Sequence, residues 1–558
     1  MKKVFLVILL AISQLCIAQS KVNPAETTQK LATTMYFIDN FYVDTTDMAK
    51  LTEEAIIAML KSLDPHSTYI AAKDVKKANE GLEGSFEGIG VTFQLLRDTI
   101  LVVSPVPGGP SERAGIMSGD KIVRIDGENA FGKKVNNEYV TSHLRGEKGT
   151  KAILSIRRGN NSELIDFEVV RDKIPLNSIN TYFMVNKKIG YIKLDQFAQK
   201  SVDEFEDALK VLRSQGMKSL IFDLRGNSGG YLMTAFNLCN EFLGSDRTVV
   251  FTEGLKSPKQ VYSTDRNGEF RDGRLVVLID EGSASASEIV SGAIQDWDRG
   301  VLIGRRSFGK GLVQRPFNLP DGAQIRLTTA RYYTPTGRRI QRSYEKGSED
   351  YFKEMTKRLE HGEYYHADSI QFPDSLRYYT LNSGRTVYGG GGIMPDYFVA
   401  EDTTAYTSYF KELIAKGIIS EFCFEYTDKN RSQLSRYSSY KSLLKYLQNQ
   451  HMVEQCVRFA DSKGITRRNN MIIQSRQLFE RSIYGNIIYN MLDIQSYMEY
   501  LNSDDRTIDK AIELFNDHKT VPTISPSDGK TAFHHSMKAQ PNNFDFPYRK
   551  YCQVFRIS

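Results

Sequence analysis

The sequence predicts an α/β core with a β-rich block inserted ahead of it, a short helical segment at the N-terminal side and a mainly helical C-terminal region. Three observations carry that prediction. After residue 173, short apolar runs such as Leu220-Ile221-Phe222-Asp223-Leu224, Arg274 to Asp280 and Val301-Leu302-Ile303-Gly304 alternate with stretches of helical periodicity, the pattern of strands interleaved with helices. Between 77 and 172 the pattern is instead one of short strands broken by turns. From 401 onward apolar residues recur at helical spacing.

The chain opens on a leader, residues 1–18: Lys2-Lys3, the apolar run Val4 to Ile12, then Cys16-Ile17-Ala18 before Gln19. A charged start, a short apolar run and a small residue at the break describe a secretory signal peptide cleaved near Ala18. The run is too short to favour a permanent membrane helix. Cys16 raises lipidation as an alternative, but Ser13-Gln14-Leu15 lacks the small residue expected just before a lipoprotein cysteine. Residues 22–76 read as helical through Ala32, Met35, Phe37 and Ile38, then Leu51, Ile56, Ile57, Met59 and Leu60.

In the block 77–172 the strand patterns are Gly90 to Leu95, Ile100 to Val103, Lys121 to Ile125 before the turn Asp126-Gly127, and Ala152 to Ile156. In the core, 173–400, Glu204 to Leu212 reads as a helix between strands, and Gln324 to Tyr333 alternates as a strand after the turn Pro320-Asp321-Gly322. Residues 343–387 read as a polar insertion, and the core closes near Tyr388 to Asp396. In 401–558, Leu443, Leu444, Tyr446 and Leu447, then Ile483-Tyr484 to Ile487-Ile488-Tyr489, mark apolar helix faces, which core packing explains better than a ligand box; 520–558 is polar and irregular.

With 558 residues, 41% hydrophobic and 25% charged, the chain has ample material for several cores. A net charge of +6, two units of it in Lys2-Lys3, does not point to nucleic acid. Removal of the leader leaves Cys239, Cys423, Cys456 and Cys552. An even count in an exported chain permits disulfides, but the scatter implies no framework. The eight histidines form no HExxH, so no metal site and no cofactor are expected.

The chemistry concentrates in two places. Ser283-Ala284-Ser285-Ala286-Ser287-Glu288 follows a strand and opens a helix, and Phe308-Gly309-Lys310-Gly311 follows another strand. A serine there lies against helix N-terminal amides, which favour the oxyanion formed when a carbonyl is attacked. By themselves the serines serve equally well as helix caps. A lysine of ordinary pKa, about 10.4, is uncharged in about one molecule in 2,500 at pH 7, so a lysine base needs about 4 kcal/mol of discrimination against its charged form. The apolar flanks Val301-Leu302-Ile303 and Leu312-Val313 offer the burial that supplies it. A second glycine-rich site, Arg225-Gly226-Asn227-Ser228-Gly229-Gly230, ends another strand; its glycines allow amides close to an oxyanion, or simply make a turn.

These residues resemble the carboxyl-terminal processing peptidases. The resemblance rests on Leu63-Asp64-Pro65-His66-Ser67 with Tyr69, Gly88-Ile89-Gly90-Val91, Gly190-Tyr191-Ile192, Asp223 to Gly230, Ser283 to Glu288, Gln295-Asp296 and Phe308 to Gln314, in family order over about 25–400. It implies a crotonase-like (ClpP/crotonase) serine protease core with Ser285 as nucleophile, Lys310 as general base and Gln314 orienting the lysine. Ala286 with Gly229 or Gly230 would form the oxyanion hole. Asp296 is expected to be structural, Ser283 and Ser287 to be caps, and His66 to hold a turn.

The block 77–172 is similar to a PDZ domain, with Pro107 to Ile116 as its short helix. Such a module pairs an extended peptide with an open sheet edge and holds its carboxylate on loop amides. The resemblance makes Gly88, Ile89 and Gly90 that loop, and Arg145 a link from peptide to Gln314 or else an ordinary surface arginine. The expected protein is an exported serine endopeptidase of the periplasm or cell envelope, working on protein or peptide substrates with free C-termini through a Ser/Lys dyad. Peripheral association with the envelope, a homo-oligomer and an adaptor stay open. The rivals are a non-catalytic peptide or hydrophobic-ligand binder on the same fold, and an acyl-CoA enzyme, which export and the PDZ-like block disfavour.

Overall fold

The computed structural model describes residues 23–517 apart from 97, 133, 160–162 and 371. The expected leader, Cys552 and the polar tail 520–558 lie outside them.

The core is a six-stranded sheet in the order Thr181–Met184, Ile189–Lys193, Ser219–Asp223, Arg274–Ile279, Val301–Gly304 and Tyr397–Phe398. The first pair is antiparallel and the others parallel. Its strands are mostly apolar, their polar residues falling at the ends, because both faces are covered. Leu220, Phe222, Leu275, Val277 and Leu302 face one core with residues of the helices Ser201–Ser214, Leu232–Phe242 and Ala286–Asp296. The alternating residues Tyr191, Ile221, Val276, Leu278, Val301 and Ile303 face a second, completed by Ile508, Ala511, Leu514 and Phe515 of the helix Arg506–Asn516.

A second sheet stands beside it. The long strand Gln324–Tyr333 pairs with Leu312–Asn318, with Thr248–Gly254 and with Thr68–Ile70, all antiparallel. The last pairing brings the N-terminal Asp64–Ser67 turn beside the strand that follows Lys310.

The β-rich block is a five-stranded antiparallel path, Val91–Leu96, Thr99–Pro105, Lys121–Ile125, Lys151–Arg157 and Ile165–Val170, around its own core of Ile100, Val102, Ile122, Leu154 and Ile156. The chain enters it on Ser85–Gly88 and leaves on Asp172–Pro175, which pair antiparallel. The block is therefore an insertion tied at its neck.

Residues 343–387, expected as a polar insertion, also take an interior role. They hold the helix Ser348–Glu360, which buries Tyr351 and Arg358; Arg358 donates to the carbonyls of Ser307 and Gly391 at 2.8 and 2.9 Å. The C-terminal region is helical, with a core that includes Phe422, Cys423, Leu443, Cys456, Phe479, Ile483 and Ile487. Cys239, Cys423 and Cys456 are free and buried. Among the described residues no helix is long and apolar enough to cross a membrane, and no group of three or more His, Cys, Asp or Glu is gathered to hold a metal ion.

Candidate active site

Ser285 caps the helix Ala286–Asp296 at φ 56° and ψ −111°, a conformation costing a non-glycine residue about 1–3 kcal/mol. Its surroundings hold it there. Its amide donates to Glu288 Oε2 at 2.8 Å, and its carbonyl lies 3.0 Å from the Tyr332 hydroxyl.

The same two groups grip Lys310. Its amide donates to the same Glu288 Oε2 at 2.9 Å, and its carbonyl lies 2.6 Å from the Tyr332 hydroxyl. Glu288 Oε1 meanwhile accepts from Ser307 Oγ at 2.5 Å and from the Gly309 amide at 2.7 Å. Glu288 is fully buried. Burial pushes its carboxyl up, and the four hydrogen bonds push against that. One carboxylate and one phenol thus clamp the Ser285 and Lys310 segments together.

Lys310 Nζ donates to Gln314 Oε1 at 2.8 Å rather than to Ser285 Oγ, and Gln314 Nε2 donates to the His66 carbonyl at 2.5 Å. Burial lowers the lysine pKa, with Asp64 and Glu288 opposing in part. The His66 carbonyl is presented by a turn in which Asp64 Oδ1 accepts from the amides of His66 and Ser67 at 2.8 and 2.9 Å and Asp64 Oδ2 accepts from Ser67 Oγ at 2.6 Å. His66 Nε2 lies 2.9 Å from the Tyr351 hydroxyl. Burial and the nearby Lys310 charge hold its imidazole down to about 3.

The glycine-rich loop packs directly on the serine. A side chain at Gly229 would put its Cβ 2.8 Å from Ser285 Cβ and 3.0 Å from the Ala286 nitrogen. Gly229 is buried and its amide donates to Asn227 Oδ1 at 2.8 Å, whereas Gly230 is exposed. Among the described hydrogen bonds none is donated by the Gly230 amide, and a Cβ there would meet the Phe197 carbonyl at 2.1 Å.

Ser283 and Ser287 differ from their expectation as caps. Ser283 Oγ donates to the Leu224 carbonyl and Ser287 Oγ to the Asn227 carbonyl, both at 2.8 Å. They stitch the serine turn to the glycine loop. Asp296 is buried on Arg338 and accepts from the amide and hydroxyl of Thr336. Behind the glycine loop, Arg225 pairs with Asp223, whose burial is outweighed by the Arg225 and Lys193 charges, bringing it down to about 2.

Within the β-rich block, Gly88-Ile89-Gly90 precedes the edge strand Val91–Leu96, and the Ile89 amide donates to the Leu144 carbonyl at 3.3 Å. An extended segment can pair with such an edge. Arg145 is not brought to Gln314: it pairs with Glu80 of the helix Ala72–Glu83 and lies 4.6 Å over the Phe86 ring. Gln314 Nε2 donates to the His66 carbonyl instead.

Sequence reasoning missed Glu288, Tyr332 and Asn227 as site-builders. A Ser-x-x-Glu spacing at a helix start signals the first; Tyr332 and Asn227 carry no local signal, since their role depends on loops meeting in space.

Comparison with known proteins bears on the family and the domains. A model of peptidase family S41 matches residues 188–347, a PDZ domain model matches 88–169, and a family of unknown function (DUF8443) matches 409–493. The chain is 39% identical over 305 residues to a carboxy-terminal-processing protease of Bartonella bacilliformis, covering 54% of this chain and 69% of the relative. It is 35% identical over 324 residues to a probable CtpA-like serine protease of Staphylococcus aureus, covering 58% of this chain but only 63% of that protein's length. Among solved structures, a photosystem II D1 C-terminal processing protease is 29% identical with a TM-score of 0.33, covering 56% of this chain and 89% of that one.

Proposed function

This chain belongs to peptidase family S41, the carboxy-terminal-processing proteases, and on that premise we propose that it is an exported serine endopeptidase that takes protein substrates by a free C-terminal tail and cuts inward with Ser285 and Lys310. The observation that carries the reading is the shared grip of Glu288 Oε2 on the amides of Ser285 and Lys310, 2.8 and 2.9 Å away. It supports a serine and a buried amine working as one unit.

In this reading the tail pairs with the edge Val91–Leu96, its carboxylate at Gly88-Ile89-Gly90, and the segment to be cut lies beside Ser285. The neutral Lys310 amine takes the Ser285 proton as Oγ attacks the carbonyl carbon. Gln314 holds the amine by one of its hydrogens, leaving the lone pair for the serine. The Ala286 and Gly230 amides receive the oxyanion. Protonated Lys310 returns the proton to the departing amine, and the acyl-enzyme is then hydrolysed by a water that the same lysine deprotonates. Export rests on the leader sequence, and retention at the envelope or assembly with a partner belongs to the same proposal.

The test is cleavage of an unfolded reporter with an apolar C-terminus by purified protein, beside Ser285→Ala and Lys310→Ala. Loss of cleavage in both variants with folding retained is expected. Full turnover by Lys310→Ala would remove the base assignment, and binding without cleavage by the wild type would favour the non-catalytic reading.

A further inference from the structure

The C-terminal helical module touches both the PDZ block and the back of the glycine loop. At one end, Asp428 of the helix Ile418–Leu434 pairs with Lys121 at 3.2 Å. The Lys121 ammonium lies 5.6 Å over the Phe424 ring of the same helix. The Arg431 guanidinium sits so close to Gly119 that a Cβ there would lie 2.6 Å from it. Both Gly119 and Lys121 belong to the block's third strand and the turn before it, away from the edge strand Val91–Leu96.

At the other end, Asp505 Oδ2 accepts from Arg225 Nη1 at 2.8 Å. Asp505 Oδ1 caps the helix Arg506–Asn516, accepting from Thr507 and Ile508 amides at 2.8 and 3.3 Å. Arg225 is the first residue of the glycine loop, its other donors on Asp223. The ends are joined through one packed core: Ile419, Phe422 and Cys423 meet Ile483 and Ile487 of the helix Arg476–Met491. From that helix Arg481 donates to the carbonyls of Leu501 and Asp504, at 2.8 and 2.7 Å, next to Asp505.

We propose that this module is an internal brace, with Asp505 as a positioning residue for the glycine loop and Asp428 and Arg431 as the grip that holds the PDZ block at a set distance from it. The proposal rests on the serine-peptidase reading. A fixed PDZ block presents a captured tail to Ser285 at a high effective concentration, while a held Arg225 keeps the Gly230 amide aimed where the oxyanion forms.

Full-length variants separate the two grips. Asp505→Asn keeps a helix-capping oxygen and removes the charge facing Arg225. The expected result is a fall in kcat of about tenfold on a short internal peptide with KM unchanged, and faster hydrogen exchange at the amides of residues 225–230. Asp428→Ala is expected to leave that kcat and that exchange unchanged while KM for a tail-bearing substrate rises about threefold. An Asp505→Asn protein with wild-type kcat, or with unaltered exchange across 225–230, overturns the brace. So does an Asp428→Ala protein whose KM does not move. If the wild type cleaves nothing, the peptidase reading fails, and the exchange measurement still decides the brace by itself.

Discussion

The amides of Ser285 and Lys310 converge on one oxygen of Glu288, while Ser307 and Gly309 take the other. Three of the four donors are backbone amides that can only donate, and each carboxylate oxygen faces at least one of them, so an amide side chain here would aim its own N–H₂ at a group that also donates. Glu288→Gln is therefore expected to cost about 2–4 kcal/mol and to lower kcat at least a hundredfold by parting the two segments; chemical denaturation and steady-state kinetics check the two effects. A variant of wild-type kcat would mean that other contacts set the spacing. Lys310 gives a second prediction. Its pKa is lowered by burial below 10.5, so the neutral, proton-accepting form grows as pH rises. kcat/KM should climb with pH and level off at a midpoint below that of free lysine; a profile that falls over the range would contradict a lysine base. Ser285, Lys310 and Gln314 were legible because each sits in a short pattern of strand, glycine and polar residue. Tyr332 was not, because in the alternating strand Gln324–Tyr333 nothing local says which of the adjacent Tyr332 and Tyr333 faces inward.

The turn Asp64–Ser67 and the strand Leu312–Asn318 show how one element orders another. The turn is closed by Asp64, and it is hydrogen-bonded to the lysine through the His66 carbonyl and Gln314. Gln314→Ala removes this tether while leaving the backbone pairing of its strand intact. It is expected to lower kcat about tenfold and to leave the melting temperature within a few degrees, measured by peptide cleavage and thermal unfolding; an unchanged kcat would make the tether ornamental. The His66 ring adds a pH effect on stability. In the folded chain its pKa is held down to about 3 against an ordinary 6.5. On acidification through 6.5 the unfolded chain takes up the proton and the folded one does not, so His66 subtracts stability progressively between 6.5 and 3. Thermal melts should show a steeper loss over that range in the wild type than in His66→Gln. The motif Leu63-Asp64-Pro65-His66-Ser67 was legible as a turn, but its partner was not. The helix Ser348–Glu360 hid for a related reason: the residues it buries include an arginine and a tyrosine that bond to carbonyls and to His66, so a polar sequence covers an interior role.

Across the whole molecule, the central sheet needs cover on two faces, and only one is supplied by helices that lie between its strands in sequence. The other is closed by Arg506–Asn516, more than a hundred residues beyond the last strand. The alternation of apolar strands and helices made the α/β core legible, and four short strand patterns did the same for the PDZ block, whose fifth strand Ile165–Val170 went unread. That the last described helix belongs to the core sheet was not legible, since the stripe Ile508, Ala511, Leu514 and Phe515 announces burial without naming what it is buried against. Leu514 is 1% exposed and packs in the cluster that contains Ile221, Val276 and Ile303. Leu514→Ala is expected to cost about 2–5 kcal/mol, the loss of a buried leucine side chain plus the cavity it leaves. The denaturation midpoint should fall with little change in slope. Because the same helix starts at Asp505, the variant should also quicken hydrogen exchange across residues 225–230. A cost under about 0.5 kcal/mol, typical of surface positions, would mean that the helix does not close the sheet, and the second core would then need another cover for Tyr191, Val276 and Ile303.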